Sequence, residues 1–115
     1  MLAQNNAFAA LGSRFTKVGR VKNISTGGLA FEYITNGDTD EDNSQLDVFV
    51  SGKDFHLPRV PCKVIYDIPA QPTDLKRIFF QPFLTKQCGV KFKTLSAEKS
   101  AQLSLFLEKH TTDEV

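Results

Sequence analysis

The stretch "RVKNISTGGLAFEY" (20–33) contains residue types that could bind an anionic ligand. Asn23 offers both a hydrogen-bond donor and an acceptor, which suits the edge of a nucleobase, and Ser25 offers a hydroxyl group to a base or a phosphate. Gly27 and Gly28 let backbone N–H groups approach a ligand closely and can take positive φ. Taken alone, the N-x-S-x-x-G pattern is a weak signal, because an ordinary hairpin turn rich in Asn, Ser and Gly explains it about as well.

Basic residues precede this corner and acidic residues follow it. Residues 1–35 have a net charge of +3, from four basic side chains against one glutamate, whereas residues 36–54 have a net charge of −5, from six acidic side chains against one lysine. Arg14 and Arg20 belong to the basic run, whose local field favours a small anionic ligand. The formal net charge of the whole chain is only +1. That value argues against a nonspecific nucleic-acid binder, although Phe-rich strands such as "IFFQPFL" could stack bases.

The sequence contains no arrangement typical of catalysis or of a metal site. His56 and His110 have no acid or nucleophile at a suggestive spacing, and no nucleophile elbow, phosphate loop or Cys/His metal motif occurs. The segment "DTDEDNS" (38–44) imitates the start of a calcium-binding loop, but Asn43 stands where that loop needs Gly and Phe49 where it needs Glu. We therefore expect a solvated acidic loop, no enzymatic activity and no cofactor.

Cysteine usage and hydropathy predict a cytoplasmic protein. Cys62 and Cys88 both lie in apolar, strand-like runs, which favours two buried thiols in a reducing compartment, although a disulfide stays possible. No apolar run approaches the roughly 20 residues of a membrane span. The segment "MLAQNNAFAALG" lacks the basic start and long apolar middle of a signal peptide.

Length and periodicity predict a single, mainly all-β domain over residues 1–115. Strand-like runs recur between about residues 6 and 93, separated by turn signals, and one helix follows at about 96–111. This spacing predicts a six- to seven-stranded antiparallel β-barrel with one C-terminal α-helix. The predicted strands cover 6–11, 14–24, 28–34, 45–51, 54–68, 76–84 and 86–93.

Several residues mark expected irregularities and ends within these elements. Gly19 suggests a bulge or a close backbone approach in its strand, and Pro58 and Pro61 suggest that residues 54–68 are two strands or one bent strand. Ser96 is a plausible N-cap of the helix. One helical face carries four residues at helical spacing, namely Leu103, Phe106, Leu107 and His110.

Three blocks of the sequence, in order, resemble PilZ domains, which are bacterial β-barrels that bind the second messenger cyclic di-GMP. "GRVKNISTGGLAF" (19–31) looks like the family's [D/N]-x-S-x-x-G block, and "VPCKVIYDI" (60–68) looks like its mid-barrel strand. "CGVKFKTLSAEKSAQLSLFLEKHT" (88–111) looks like its last strand and C-terminal helix. The resemblance implies a six-stranded antiparallel barrel with a helix, acting as a nucleotide receptor without enzymatic activity.

The resemblance also implies ligand-binding residues, but this sequence matches only one of the family's two binding elements. Asn23, Ser25 and Gly28 occupy the positions of the [D/N]-x-S-x-x-G block. The family's second element is an R-x-x-x-R motif in an N-terminal arm, and the first thirteen residues here contain no arginine. Arg14 and Arg20 are six apart and cannot be mapped onto that motif. Two lost phosphate contacts of roughly 1.5–3 kcal/mol each would weaken binding by about two to four decades.

Two hypotheses of different classes follow. In the first, the chain is a cyclic di-GMP receptor in which Asn23 and Ser25 contact base or phosphate, Gly28 permits close approach, and Arg14 or Arg20 adds positive charge. In the second, it is a degenerate PilZ-like domain that has lost the nucleotide and binds a protein partner, in pilus or motility machinery. An in-frame R-x-x-x-R just upstream of residue 1 would argue against the second hypothesis, since the chain would then start inside a longer receptor.

Overall fold

A computed structural model of the chain describes residues 2–3, 7–12, 17–35, 44–51, 55–69 and 84–112. These residues form β-strands followed by a helix and a last short strand. The elements are β1 (Leu2–Ala3), β2 (Ala7–Leu11), β3 (Lys17–Ile24), β4 (Gly28–Thr35), β5 (Gln45–Val50), β6 (Phe55–Pro69), β7 (Leu84–Phe92), α1 (Ala97–His110) and β8 (Thr111–Thr112).

Six of the strands close into an antiparallel barrel. Their order is β2–β5–β6–β7–β4–β3, and pairing of β2 with β3 completes the circle. Outside the barrel, β1 pairs with the end of β3 through Leu2 and Asn23, and β8 pairs with β1. The prediction of a mainly all-β, six- to seven-stranded antiparallel barrel with one C-terminal helix is therefore confirmed for the described residues.

Alternation of apolar and polar residues explains how the strands build the barrel core. In β4, Leu29, Phe31 and Tyr33 are buried, whereas Ile34 is 67% exposed on the outer face. Side chains of successive strand residues point to opposite faces, so the inward set of each strand meets in one interior. Cys62 and Cys88 belong to this interior as buried thiols, as the sequence predicts.

β6 is one continuous bent strand rather than two. Its first half pairs with β5 and its second half with β7. The bend falls between Pro58 and Pro61, where Arg59 takes a φ of 53° and the register to β5 shifts opposite Asp47. Asp47 is buried at this point, and two contacts compensate its carboxylate for the loss of water. It accepts a hydrogen bond from the Arg59 amide at 3.3 Å and contacts His56 Nε2 at 2.6 Å.

The helix α1 begins and docks as its sequence predicts. The Ser96 hydroxyl accepts a hydrogen bond from the Lys99 amide at 3.2 Å, which confirms Ser96 as the N-cap. Lys99 Nζ donates to the Pro58 carbonyl at 2.6 Å, and the rings of Phe106 and Phe55 lie 5.2 Å apart. The helix therefore packs against the first half of β6. Its buried face carries Leu103, Phe106 and Leu107.

Some sequence predictions lie outside the described residues. They are the acidic loop over 36–43, the part of the predicted strand over 76–83, the position of Arg14 and the side chain of His110. These stay predictions. Among the described residues, none of the helical structure is long and apolar enough to cross a bilayer.

Candidate functional site

The Asn/Ser/Gly corner is a tight hairpin between β3 and β4. The Ser25 amide donates to the Gly28 carbonyl at 2.8 Å, which closes the turn, and the Ser25 hydroxyl accepts a hydrogen bond from the Gly27 amide at 3.2 Å. The side chains of Asn23 and Ser25 are exposed at this end of the barrel. The Ser25 hydroxyl thus stabilises its own turn, and its exposure leaves it accessible to a ligand as well.

The glycines of the corner do not have the backbone conformation that the sequence suggests. Neither Gly27 nor Gly28 takes the positive φ expected from the sequence; among the described glycines, Gly12 does, at 87°. Position 28 requires a glycine, because a Cβ atom there would overlap the Val90 carbonyl oxygen of β7. Its close backbone approach is therefore to another strand, and a contact between Gly28 and a ligand stays a prediction.

A bulge in β3 places Arg20 and Asn23 on the same outer face. Residues three apart in a regular strand point to opposite faces. Here Arg20 pairs with Glu32 and Asn23 with Ala30, and the register shifts between Val21 and Asn23. Both side chains are consequently exposed on one face. The structure thus brings together two of the predicted site residues whose spacing alone would separate them.

Gly19, the residue suspected of causing a bulge, instead allows a close approach between strands. A Cβ atom at Gly19 would overlap the Glu32 carbonyl of β4. The second of the two readings of this glycine is therefore correct, and the bulge lies at Lys22, beyond it in the strand. Nothing in the sequence around Lys22 indicates the bulge.

The outer face continues from Asn23 across three more strands to an exposed aromatic residue. Asn23 pairs with Ala30, Ala30 with Gly89, and Gly89 with Tyr66 of β6. The Tyr66 ring lies directly over Gly89, where a Cβ atom would overlap it, and remains 37% exposed. Its hydroxyl accepts a hydrogen bond from Gln87 Nε2 at 3.1 Å. Sequence reasoning missed Tyr66, because only the register shows that it shares a row with Asn23.

Two lysines occupy the next row towards the turn. Lys91 of β7 pairs with Gly28 on one side and with Lys63 of β6 on the other. Both lysines are exposed, and within the described ranges neither forms an ion pair with a carboxylate. Like charges directly opposite each other destabilise a sheet. The pair therefore concentrates positive charge next to the hairpin, and no sequence pattern predicts it, because the two lysines meet only through the pairing of β6 with β7.

A second polar cluster lies at the opposite end of β3 and β4, and its partners satisfy one another. Asp67 accepts hydrogen bonds from Tyr33 Oη at 2.7 Å and Lys17 Nζ at 3.1 Å, and Lys86 Nζ lies at 3.4 Å. Burial raises the pKa of Asp67, but these hydrogen bonds and the two lysine charges outweigh it and lower the pKa below its usual value. Burial and the Asp67 hydrogen bond raise the pKa of Tyr33. The cluster therefore links β3, β4, β6 and β7 at the end of β3 and β4 that lies away from the hairpin.

Comparisons of the chain with protein-family models, with curated proteins and with solved structures gave no match. Among the described residues, no group of three or more His, Cys, Asp or Glu is arranged to hold a metal ion. The outer face carries an amide, a hydroxyl, an arginine, two lysines and an aromatic ring, together with the Glu32 carboxylate opposite Arg20. Such a set suits reversible binding of an anionic, partly aromatic ligand.

Proposed function

We propose that this chain is a cyclic di-GMP receptor domain of the PilZ type, without enzymatic activity. The observation that carries the proposal is the exposure of Asn23 and Ser25 at one end of a closed six-stranded barrel, with Arg20 on the same face as Asn23. The barrel with its C-terminal helix agrees with the fold that the sequence resemblance implies. Because a fold alone does not fix a function, the proposal depends on these exposed polar groups.

Each residue has a distinct role in the proposed complex. The Asn23 amide pairs with the edge of a guanine, since it offers both a donor and an acceptor. The exposed Ser25 hydroxyl contacts base or phosphate, and the Gly28 contact with β7 holds the turn in shape. The Arg20 guanidinium binds a phosphate through its planar fork of donors. Arg14 lies outside the described residues, and its contribution stays a prediction.

Isothermal titration calorimetry at low salt tests the proposal. We expect the chain to bind cyclic di-GMP in the micromolar range or tighter, and Asn23→Ala to weaken binding about five- to thirtyfold, since a lost hydrogen bond to a ligand costs on the order of 1–2 kcal/mol. Thr26→Ala is the matched control, because Thr26 is exposed in the same turn. Equal affinities of the wild type and Asn23→Ala would contradict the assigned role.

A second candidate is a protein-interaction module that has lost the nucleotide. It is favoured by the exposed isoleucines on the outer surface of the barrel, which contribute apolar area without being part of the core. They are Ile34, Ile65 and Ile68. A domain of this kind would give no heat with cyclic di-GMP even after any R-x-x-x-R segment from the upstream reading frame is added.

A further inference from the structure

We propose that the outer face of β4, β7 and β6 is the nucleotide site itself, with Tyr66 stacking on a base and Lys63 and Lys91 binding phosphate. This inference rests on the proposed function and identifies which residues of this chain supply contacts of the kind that the R-x-x-x-R motif makes in the family it resembles. The three residues lie outside the N-x-S-x-x-G block, and they join that block through the registers of three strand pairs.

Two bulges align the two ends of this face. The register of β3 shifts just before Asn23, and the register of β6 to β7 shifts just before Tyr66. Without the shifts, a side chain at either position would alternate to the other face of its strand. β-Bulges re-aim side chains in this way and are common beside functional sites. As a result, Asn23 and Tyr66 lie in one cross-strand row, separated by Ala30 and Gly89.

The row has the chemistry and the length for a ligand with two bases. Asn23 and Tyr66 are three strands apart, which corresponds to about 14 Å at the usual spacing of neighbouring strands. Between them, Ala30 is only 4% exposed and Gly89 is buried beneath the Tyr66 ring, so a ligand that spans the row lies over this ring rather than on the bare sheet. An exposed aromatic ring stacks bases regardless of their identity. One base can thus pair with the Asn23 amide while the other stacks on Tyr66.

The lysine row supplies the charge for phosphates. Lys63 and Lys91 face each other one row from Tyr66, and Gly28 follows Lys91 on the side of the hairpin. Outward positions in one strand repeat at about 6.8 Å, which is twice the rise per residue, so a phosphate can reach a lysine while its base lies in the neighbouring row. The negative charge of a bound phosphate also offsets part of the repulsion between the two ammonium groups.

Titration of the 15N-labelled chain with cyclic di-GMP, and separately with GMP, tests this site by NMR. We expect the largest amide shifts at Gly28, Gly89 and Lys91. We expect Lys63→Gln combined with Lys91→Gln, and separately Tyr66→Leu, to weaken binding about tenfold each. Tyr66→Phe keeps the ring over Gly89 and should bind nearly as the wild type does. Lys109→Gln, on α1, is the control for loss of a positive charge.

The outcomes separate this inference from the proposed function. If cyclic di-GMP binds, shifts the amides of this face, and binds more weakly to the variants, both the receptor proposal and the site are supported. If it binds but the Tyr66→Leu and lysine variants match the wild type, the site is wrong and the receptor proposal survives. If cyclic di-GMP fails to bind while GMP shifts Gly28 and Gly89, the receptor proposal fails and the nucleotide site stands. If neither ligand shifts these amides, the site is overturned.

Discussion

Asn23 and Tyr66, 43 positions apart in the chain, lie in one cross-strand row on the outside of the barrel, and each directly follows a shift in strand register. The row joins the hairpin of β3 and β4 to the second half of β6. It gives the Asn/Ser/Gly corner an extended neighbourhood that contains an aromatic ring and two lysines. The Asn/Ser/Gly corner is therefore not an isolated hairpin turn but one end of a larger surface whose chemistry suits the proposed nucleotide ligand.

Replacing Ser25 by Ala should weaken both the turn and the ligand complex. The change removes the hydroxyl that accepts the Gly27 amide, so we expect a loss of about 0.5–1 kcal/mol in the free energy of unfolding. It should also weaken cyclic di-GMP binding beyond this small stability effect. Urea denaturation and calorimetry on Ser25→Ala and Thr26→Ala measure the two effects. A stability loss with unchanged affinity would assign Ser25 to the turn alone.

The two glycines of the turn should respond differently to alanine. Gly28→Ala should cost about 1–3 kcal/mol, because its Cβ would overlap the Val90 carbonyl and the strands must separate. Gly27→Ala should change stability by less than about 0.5 kcal/mol, since the nearest heavy atom to its Cβ would be Ser25 Oγ at 3.9 Å. Thermal or chemical unfolding of both variants checks this, and equal losses would show that the contact with β7 is not the reason for Gly28.

Asp67 should contribute stability that acid removes. Its pKa is lowered in the folded chain, so its contribution is fully present above the ordinary aspartate value of about 3.9 and is lost as the pH falls through the lower folded pKa. Asp67→Asn leaves Lys17 without its carboxylate and should cost about 3 kcal/mol near neutral pH.

Chemical denaturation of the wild type and Asp67→Asn at a series of pH values measures this contribution. The difference between the two free energies of unfolding should shrink as the pH falls below about 4. A difference that stays constant down to the lowest pH would show that the ion pairs to Lys17 and Lys86 do not stabilise the folded state.

The two cysteines should be unreactive while the chain is folded. Burial raises the pKa of Cys62 to about 11, and burial together with the charge of Asp67 raises the pKa of Cys88 to about 12. At about pH 8 almost no thiolate is present on either residue. A thiol reagent should therefore label neither cysteine in native buffer and both in denaturant. Rapid labelling of the folded chain would contradict the burial of these side chains.

The barrel and its helix could be predicted from the sequence because strand alternation and helical periodicity involve residues that are close together in the chain. Alternation in "GLAFEYI" puts Leu29, Phe31 and Tyr33 on one face of a strand, and the structure shows that this face is buried; helical spacing likewise indicates the buried face of α1. Ser96 was recognisable as an N-cap because the cap bond reaches only to Lys99. The paired prolines of β6 indicated its bend, although they could not decide between one strand and two.

The outer face could not be predicted, because it depends on register between distant strands. Alternation alone would place Arg20 and Asn23 on opposite faces, and the bulge that unites them leaves no mark in composition. Tyr66 and Lys63 join the site only through the pairing of β6 with β7. At Gly28 the structure shows a close contact with β7 and no positive φ, and its predicted contact with a ligand stays a prediction.

Calorimetric titration of the unmodified chain with cyclic di-GMP, at low and at high salt, tests the receptor proposal most directly. We predict binding in the micromolar range or tighter at low salt that weakens as salt is added, because exposed cations contact the phosphates. The absence of heat at millimolar-scale ligand would contradict the proposal and favour the protein-interaction candidate.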